Sequence, residues 1–222
     1  MSRSPADSER WGVSTFRTFP ESREDLKAHE DDFVIARIDA NRLDLVQYAL
    51  KIGYLLCDTL AYWKGSTNVL LPVDFSLPSG YQVRDRKTDD QEAVSRIAAN
   101  AFENYLSHYS ADPRTREQTQ AVYAHWAGSF TGPGIVIEHN NAPVAFGHFC
   151  EPCELILAAV SPVHAGKGLY THLLAACARW GMDRGVDTIT GQDQVTNLAV
   201  QKVWVRMGFA PYKHVYTLHR WP

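Results

Sequence analysis

Between Val163 and Tyr170 the chain reads Val-His-Ala-Gly-Lys-Gly-Leu-Tyr, with Gly166 and Gly168 on either side of Lys167. Glycine has no Cβ, so the backbone N–H groups of such a turn can come close to a ligand. The apolar run before the turn and the amphipathic run after it place the turn where a strand feeds a helix. A helix N-terminus there offers unpaired N–H donors and the positive end of a dipole, and Lys167 adds a mobile cation; together they suit a pyrophosphate. The same residues also suit a tight strand-to-helix corner with no ligand. The spacing is not that of a Walker loop, which needs a longer glycine interval ending in Lys and then Ser or Thr, nor that of the dinucleotide-binding Gly-x-Gly-x-x-Gly. A second short motif, Cys150-Glu151-Pro152-Cys153 with His148 just ahead, invites a zinc reading. A fourth ligand at suitable spacing is missing, so a hairpin turn is the better reading and no metal is expected.

The elements that must hold the turn can be read from periodicity. Cys153 to Val160 is a nearly continuous apolar strand, expected to be central and buried on both faces. From Leu169 a helix carries Leu173, Leu174, Cys177 and Trp180 on one side. Asp187 to Asp193 reads as a strand, Asn197 to Met207 as a helix, and Tyr212 to Trp221 as a closing strand. Upstream, Tyr81 to Lys87 reads as a strand, Asp89 to Phe102 and Thr115 to Phe130 as helices, and Gly134 to Phe149 as a hairpin turning at Asn140-Asn141, since Asn tolerates the positive φ of such turns. Near the N-terminus, Asp32 to Asp39 is strand-like, Arg42 to Tyr54 is an amphipathic helix capped by Gly53, and Leu55 to Trp63 returns as a strand.

These elements divide the chain into a loose or partly ordered lead-in (1–30), a small α/β module with a Gly/Pro/Ser-rich linker (31–75) and a larger α/β domain (76–222). Asn41 to Trp63 and Asn197 to Trp221 share a plan of Asn, helix, Gly-aromatic and aromatic-rich strand. Either this is the common way a helix ends before a strand, or the N-terminal module is a degenerate copy without the glycine turn.

The 222 residues are 45% hydrophobic and 21% charged, with a formal net charge of -3. That suits a globular chain and gives no basic face for nucleic acid. No apolar run approaches the ~18 residues a membrane helix needs. The four cysteines are few and scattered, and the polar, proline-broken start resembles no secretory signal, so a reduced, cytoplasmic compartment is expected. The closing strand has a face that could pair two copies of the chain.

The turn, the strand and helix after it, and Thr196-Asn197 through Gly208-Phe209 together resemble the GNAT superfamily of CoA-dependent N-acyltransferases over about Tyr81 to Pro222. The resemblance implies a mixed α/β fold whose central strand splays from its neighbour, with acetyl-CoA or another short acyl-CoA as cosubstrate. It implies contacts to the coenzyme from Val160 on the strand, from Ala165, Gly166, Lys167, Gly168, Leu169 and Tyr170 on the turn, and from Asn197 at the next helix. The family's Gln or Arg at the start of the turn is Ala165 here, leaving that contact to Lys167 or His164, and its small last residue is Tyr170. The resemblance also places Trp204 against the coenzyme, near its thiol, where the family has a tyrosine acid; the indole N–H can donate a hydrogen bond but is no useful acid. The short N-terminal α/β portion is most similar to that of enzymes acylating nucleotide-linked amino sugars, such as dTDP-fucosamine N-acetyltransferases. Thioester aminolysis needs a neutral amine, a stabilised oxyanion and a leaving thiolate. His108, Glu154 and Asp193 are the candidate proton acceptors; His108 is favoured, with Asp193 beside it, because histidine titrates near neutrality. Tyr105 and Tyr109 either stack on the acceptor's sugar or base, as the candidate substrate residues, or simply pack. Two other readings stay open: a GNAT acting on a peptide, polyamine or small metabolite, and a CoA-binding module without turnover.

Overall fold

A computed structural model describes residues 1–68 and 76–222. In chain order the elements are β1 (Ser2–Arg3), α1 (Pro5–Trp11), β2 (Thr15–Thr18), α2 (Arg23–Lys27), β3 (Phe33–Asp39), α3 (Leu43–Lys51) and β4 (Leu55–Ser66). Then come β5 (Tyr81–Asp85), α4 (Gln91–Ala101), α5 (His108–Ala111), α6 (Thr119–Ser129), β6 (Gly134–His139), β7 (Ala142–Cys150) and β8 (Glu154–Val160). The chain closes with α7 (Leu169–Met182), β9 (Thr188–Gln194), α8 (Leu198–Arg206) and β10 (Ala210–Arg220). Among the described residues the strands form one mixed sheet in the order β1-β2-β3-β10-β4-β9-β8-β7-β6-β5.

Alternation of side chains gives this sheet a core on each face. On one face α7 and α8 bury Leu173, Leu174, Cys177 and Trp204 against Ile189, Leu155 and Trp63. On the other, Val94, Ile97, Val122 and Tyr123 pack from α4 and α6 on Val136, Phe146 and Leu157. A third cluster joins Val34, Ile38 and Leu218 to Leu45, Val46 and Ala49 of α3. The β6–β7 hairpin turns at Asn140 and Asn141, with φ of 53° and 61°, as their tolerance of the left-handed region predicts.

The N-terminal elements are woven into this sheet. β4 lies between β9 and β10, antiparallel to both, and β3 pairs with the far edge of β10. The two helix–Gly–aromatic–strand units therefore meet through β4 and β10, with Tyr54 and Phe209 both buried. β4 runs on through Lys64, Gly65 and Ser66, residues expected in the linker; the rest of that linker includes 69–75, outside the described residues. The lead-in, expected to be loose or partly ordered, carries β1, α1, β2 and α2. β2 pairs parallel with β3, and Asp7 ties the segment together by accepting from Arg10 at 2.7 Å and from Arg17 Nε at 2.8 Å.

β8 departs from expectation in a way that matters. Its residues alternate between buried and half-buried, instead of being covered on both faces. The cause is its edge. β8 and β9 pair over only Glu154↔Thr190 and Leu155↔Gly191 and then part. Each strand is held from its far side, β8 by β7 up to Ala145↔Val160 and β9 by β4 up to Leu60↔Gln194. At the point of parting β8 carries a bulge: Leu155 faces Phe149 and Leu157 faces His148, so Ile156 has no opposite residue. A bulge adds twist and re-aims backbone groups.

Gly191 sits at this apex directly over the Trp204 indole. A Cβ there would lie 2.5 Å from Cη2 and 3.0 Å from Cζ2 of that ring, too close for contact without displacement. Gly191→Ala should cost about 1–3 kcal/mol by overpacking, read as a lower urea midpoint; an unchanged midpoint would mean that Trp204 does not set the packing at the apex.

Candidate active site

The parting of β8 and β9 opens into a cavity of about 400 Å³. Leu155 to Ala158 form one wall and Gln192, Asp193 and Gln194 the other. Tyr105, His108, Tyr109, Tyr123 and Trp126 close it from the α4–α6 side, Tyr170 and Asn197 line it too, and Arg10, Arg17 and Arg37 reach it from the N-terminal elements. Of the residues expected from the sequence, the structure thus gathers His108, Asp193, Tyr105, Tyr109, Tyr170 and Asn197 on one cavity.

The glycine turn lies at the end of β8 away from the apex. A short 3-10 turn (Pro162–His164) leads to Gly166 and Gly168, both with φ of 76°. Gly168 is the N-cap of α7, and among the described residues neither glycine has an atom within 4 Å of where a Cβ would be. Glycine is therefore required here by backbone conformation, and no described residue fills the space above the turn. No acidic residue stands in the first turn of α7 to compete for its N–H groups. Ala165, Lys167 and Gly168 are exposed, while Leu169 is buried and anchors the helix. Val160, paired to Ala145, ends the strand beside the turn. Lys167 is not the freely mobile cation expected. Its Nζ donates to Tyr81 Oη at 2.9 Å, and that hydroxyl also meets His164 Nδ1 at 2.7 Å.

Asn197 caps α8, its side-chain oxygen accepting from the Val200 N–H at 3.3 Å. Its amide donates to Tyr105 Oη at 3.3 Å, and the Tyr105 hydroxyl in turn donates to Gln194 Oε1. Burial pushes the Tyr105 phenol up to about 12, so it stays an O–H. Tyr109 receives a hydrogen bond from Arg17 Nη2 at 2.7 Å. Burial likewise holds the Tyr170 phenol well above its ordinary value. Trp204, expected at the thiol end of the site, is instead core. It is 1% exposed and packs against Phe209 at 4.4 Å and parallel to Trp63 at 6.5 Å. With its indole under Gly191, it shapes the apex from below and does not line the cavity.

Two titratable groups face the cavity in different states. Burial holds His108 well below the usual histidine value, with His219, Arg17 and Arg37 adding to the effect, so its ring is neutral. Burial raises the Asp193 carboxyl to about 7. Its Oδ1 accepts from Trp63 Nε1 at 2.9 Å, while Oδ2 has no hydrogen-bond partner among the described residues. Glu154, the third candidate, starts β8 beyond the apex, where its Oε2 accepts from Cys150 at 3.8 Å. Cys153 lies 4.0 Å from Cys177 in the core, and both ring nitrogens of buried His148 lack partners among the described residues. The sequence reading missed Arg17 and Arg37: both sit in segments whose contact with the larger domain depends on β4 entering the sheet, which no local pattern signals.

A sequence model of the Acetyltransferase (GNAT) family matches residues 97–209, half of the chain, and the chain belongs to that family. It is an acyl-CoA-dependent acyltransferase. SpsD, a spore coat polysaccharide biosynthesis protein of Bacillus subtilis (strain 168), is 24% identical over 204 residues, covering 87% of this chain and 68% of its own. Among solved structures, a Drosophila protein superposes with a TM-score of 0.64 at 15% identity, covering 96% of this chain and 75% of its own. An N-acetyltransferase from Kribbella flavida gives 0.60 at 17%, covering 88% and 71%. The tandem GNAT protein of the clavulanic acid biosynthesis pathway gives 0.59 at 16%, covering 89% and 66%. These structural likenesses show the fold.

The Asp193 carboxyl yields a prediction for stability. Its folded value, about 7, lies above the unfolded value near 4. The folded state therefore binds the proton more tightly, and this contribution to stability, complete below pH 4, is lost as pH rises through 7. Asp193→Asn should gain on the wild type in urea midpoint between pH 5 and pH 8; a difference independent of pH would contradict the assignment.

Proposed function

We propose that the protein transfers a short acyl group, most simply acetyl, from acyl-CoA to the amine of an amino sugar, and in its most specific form a nucleotide-linked deoxyamino sugar. The observation that carries the first half is the parting of β8 from β9 with an open glycine turn at its mouth. Two strand edges without a ladder between them need hydrogen-bond partners, and the amides of a pantetheine arm can serve. Gly166 to Leu169 at the N-terminus of α7 then receive the pyrophosphate, Val160 and Asn197 flank the arm, and the thioester reaches toward the apex. The Ile156 bulge, nearer the apex than Val160, offers a re-aimed N–H for the oxyanion.

The second half rests on the other walls. The cavity is aromatic where a sugar would stack, through Tyr105, Tyr109 and Trp126, and cationic where β2 and β3 enter, through Arg17 and Arg37. Positive charge there suits the phosphates of a nucleotide sugar. The relationship to a polysaccharide biosynthesis protein supports the same class. A sugar amine with a pKa about that of an α-amino group, near 8, is partly neutral at pH 7, so positioning supplies much of the rate. His108, neutral and on the cavity, accepts the proton, with Asp193 the other group able to do so. The Tyr170 hydroxyl is an O–H donor available to the leaving sulfur. The work is cytoplasmic, as a sugar nucleotide substrate would require, and no metal enters it.

Thiol release from acetyl-CoA, measured with a panel of nucleotide-linked and free amino sugars beside polyamines and peptides, tests the reading. Turnover with a nucleotide-linked amino sugar is expected. Turnover confined to polyamines or peptides would overturn the substrate, and none with any amine would leave a CoA-binding module. Arg37→Ala should raise KM about tenfold for the nucleotide-linked sugar and leave that of the free sugar unchanged; equal effects would remove the phosphate role. For the coenzyme, Gly168→Asp puts a carboxylate at the turn, whereas Gly168→Asn has nearly the same shape and backbone tolerance without the charge. Calorimetry should show CoA affinity falling at least tenfold further for Asp than for Asn. Similar affinities would mean the pyrophosphate does not sit there.

A further inference from the structure

Behind His108 a line of side chains runs away from the cavity into the core. His108 Nδ1 lies 2.8 Å from His219 Nε2. On its other side, His219 Nδ1 lies 2.8 Å from Asp112 Oδ2. Asp112 also accepts from Trp221 Nε1 at 2.8 Å and, through Oδ1, from the Arg114 N–H at 2.9 Å. His108 is 5% exposed, His219 1% and Asp112 0%. These residues come from α5, the segment after it, the last strand and the C-terminal tail, so the line exists only in the folded chain.

We propose that Asp112 and His219 are positioning residues that fix the ring tautomer of His108, placing its proton on Nδ1 and leaving Nε2 as the base that takes the proton of the acceptor amine. The inference rests on the reading of His108 as proton acceptor.

Each bond dictates the polarity of the next. Burial alone would raise the Asp112 carboxyl, but the hydrogen bonds from His219, Trp221 and Arg114 outweigh it and bring it down to about 2. An ionised carboxylate only accepts, so His219 must donate from Nδ1. Burial outweighs the pull of Asp112 and keeps His219 below the ordinary histidine value. A neutral ring with its proton on Nδ1 has a lone pair on Nε2, so His108 must donate from Nδ1. The remaining His108 nitrogen, Nε2, then carries the lone pair, on a residue that lines the cavity.

In the transfer step the amine lone pair forms the new C–N bond and the C–S bond breaks with its electrons on sulfur. His108 Nε2 takes the proton from the former amine nitrogen, the thiolate, met by the Tyr170 O–H, takes a proton through that hydroxyl from solvent, and the imidazolium later returns its proton to solvent. The positive charge that appears on His108 is met through His219 by the Asp112 carboxylate, the same logic by which a buried Asp orients a catalytic histidine in hydrolases. Arg17 and Arg37 oppose that charge from the cavity wall, and Asp58, which accepts from the His108 backbone N–H at 2.9 Å, favours it. Cys57 Sγ also lies near His219 and Asp112. Both His219 nitrogens and the Asp112 oxygen are already committed to this line, so the trio is read as part of it and not as a metal ligand set.

The test is ¹⁵N NMR of histidine-labelled full-length protein without ligand, joined to kinetics with acetyl-CoA and the best acceptor of the panel. The wild-type spectrum should show His108 neutral, protonated on Nδ1 and bare on Nε2; a proton on Nε2 overturns the inference whatever the variants do. Asp112→Asn and His219→Leu should mix the His108 tautomers and lower kcat at least ~10-fold, with KM and CoA affinity within twofold. His219→Gln, whose carbonyl can still accept from His108 Nδ1, should restore part of that loss. Folded Asp112→Asn and His219→Leu variants with the wild-type tautomer and kcat would also overturn it. His108→Gln separates the two layers: undiminished kcat in that variant removes His108 as base, while the spectrum still decides whether the line sets its tautomer.

Discussion

Two residue pairs, Glu154 with Thr190 and Leu155 with Gly191, are all that joins β8 to β9, and the rest of the site follows from how short that seam is. A longer ladder would satisfy the strand edges and close the cavity. A missing one would let the two halves of the sheet drift apart. The seam stays short because each strand is committed elsewhere, β8 to β7 and β9 to β4, and because the Ile156 bulge turns β8 away as soon as the pairing ends. Trp204, packed beneath Gly191 with no room for a Cβ, holds the apex shut from below. A residue that the family pattern suggested for chemistry serves geometry instead.

This division explains what the N-terminal elements do. By inserting β4 between β9 and β10, they hold the far side of the parting strand, and in the same stroke β2 and β3 bring Arg17 and Arg37 to the cavity. β10, gripped between β3 and β4, carries His219 to the back of His108. The wall opposite the glycine turn is thus built largely from residues distant in sequence from that turn.

What the sequence made legible was local. The glycine pair, the Asn cap of α8 and the Asn-Asn hairpin each announce themselves through spacing or backbone preference, and the structure places them as expected; the apolar run before the glycines was legible as a strand, but not its half-open edge. His108 and Asp193 were legible as titratable residues beside predicted elements. What sets their states was not. The Asp193 carboxyl is shifted by burial against Trp63 of β4, and His108 is bonded to a histidine 111 residues away. Such partners follow from strand order, which periodicity does not encode. The polar N-terminal segment looked loose because its order comes from the Asp7–Arg17 pairing and from β3, not from an apolar face of its own. Lys167 illustrates the same limit: its charge was legible, its hold on Tyr81 was not.

The central claim, that the parting of β8 and β9 receives the pantetheine arm of acyl-CoA, is tested most directly by amide hydrogen exchange with and without CoA. The account predicts slower exchange in Ile156 to Val160 and in Gly166 to Tyr170 on adding CoA, with β5 and β6 unchanged. Protection confined to other segments, with the β8 edge exchanging as fast as before, would contradict it.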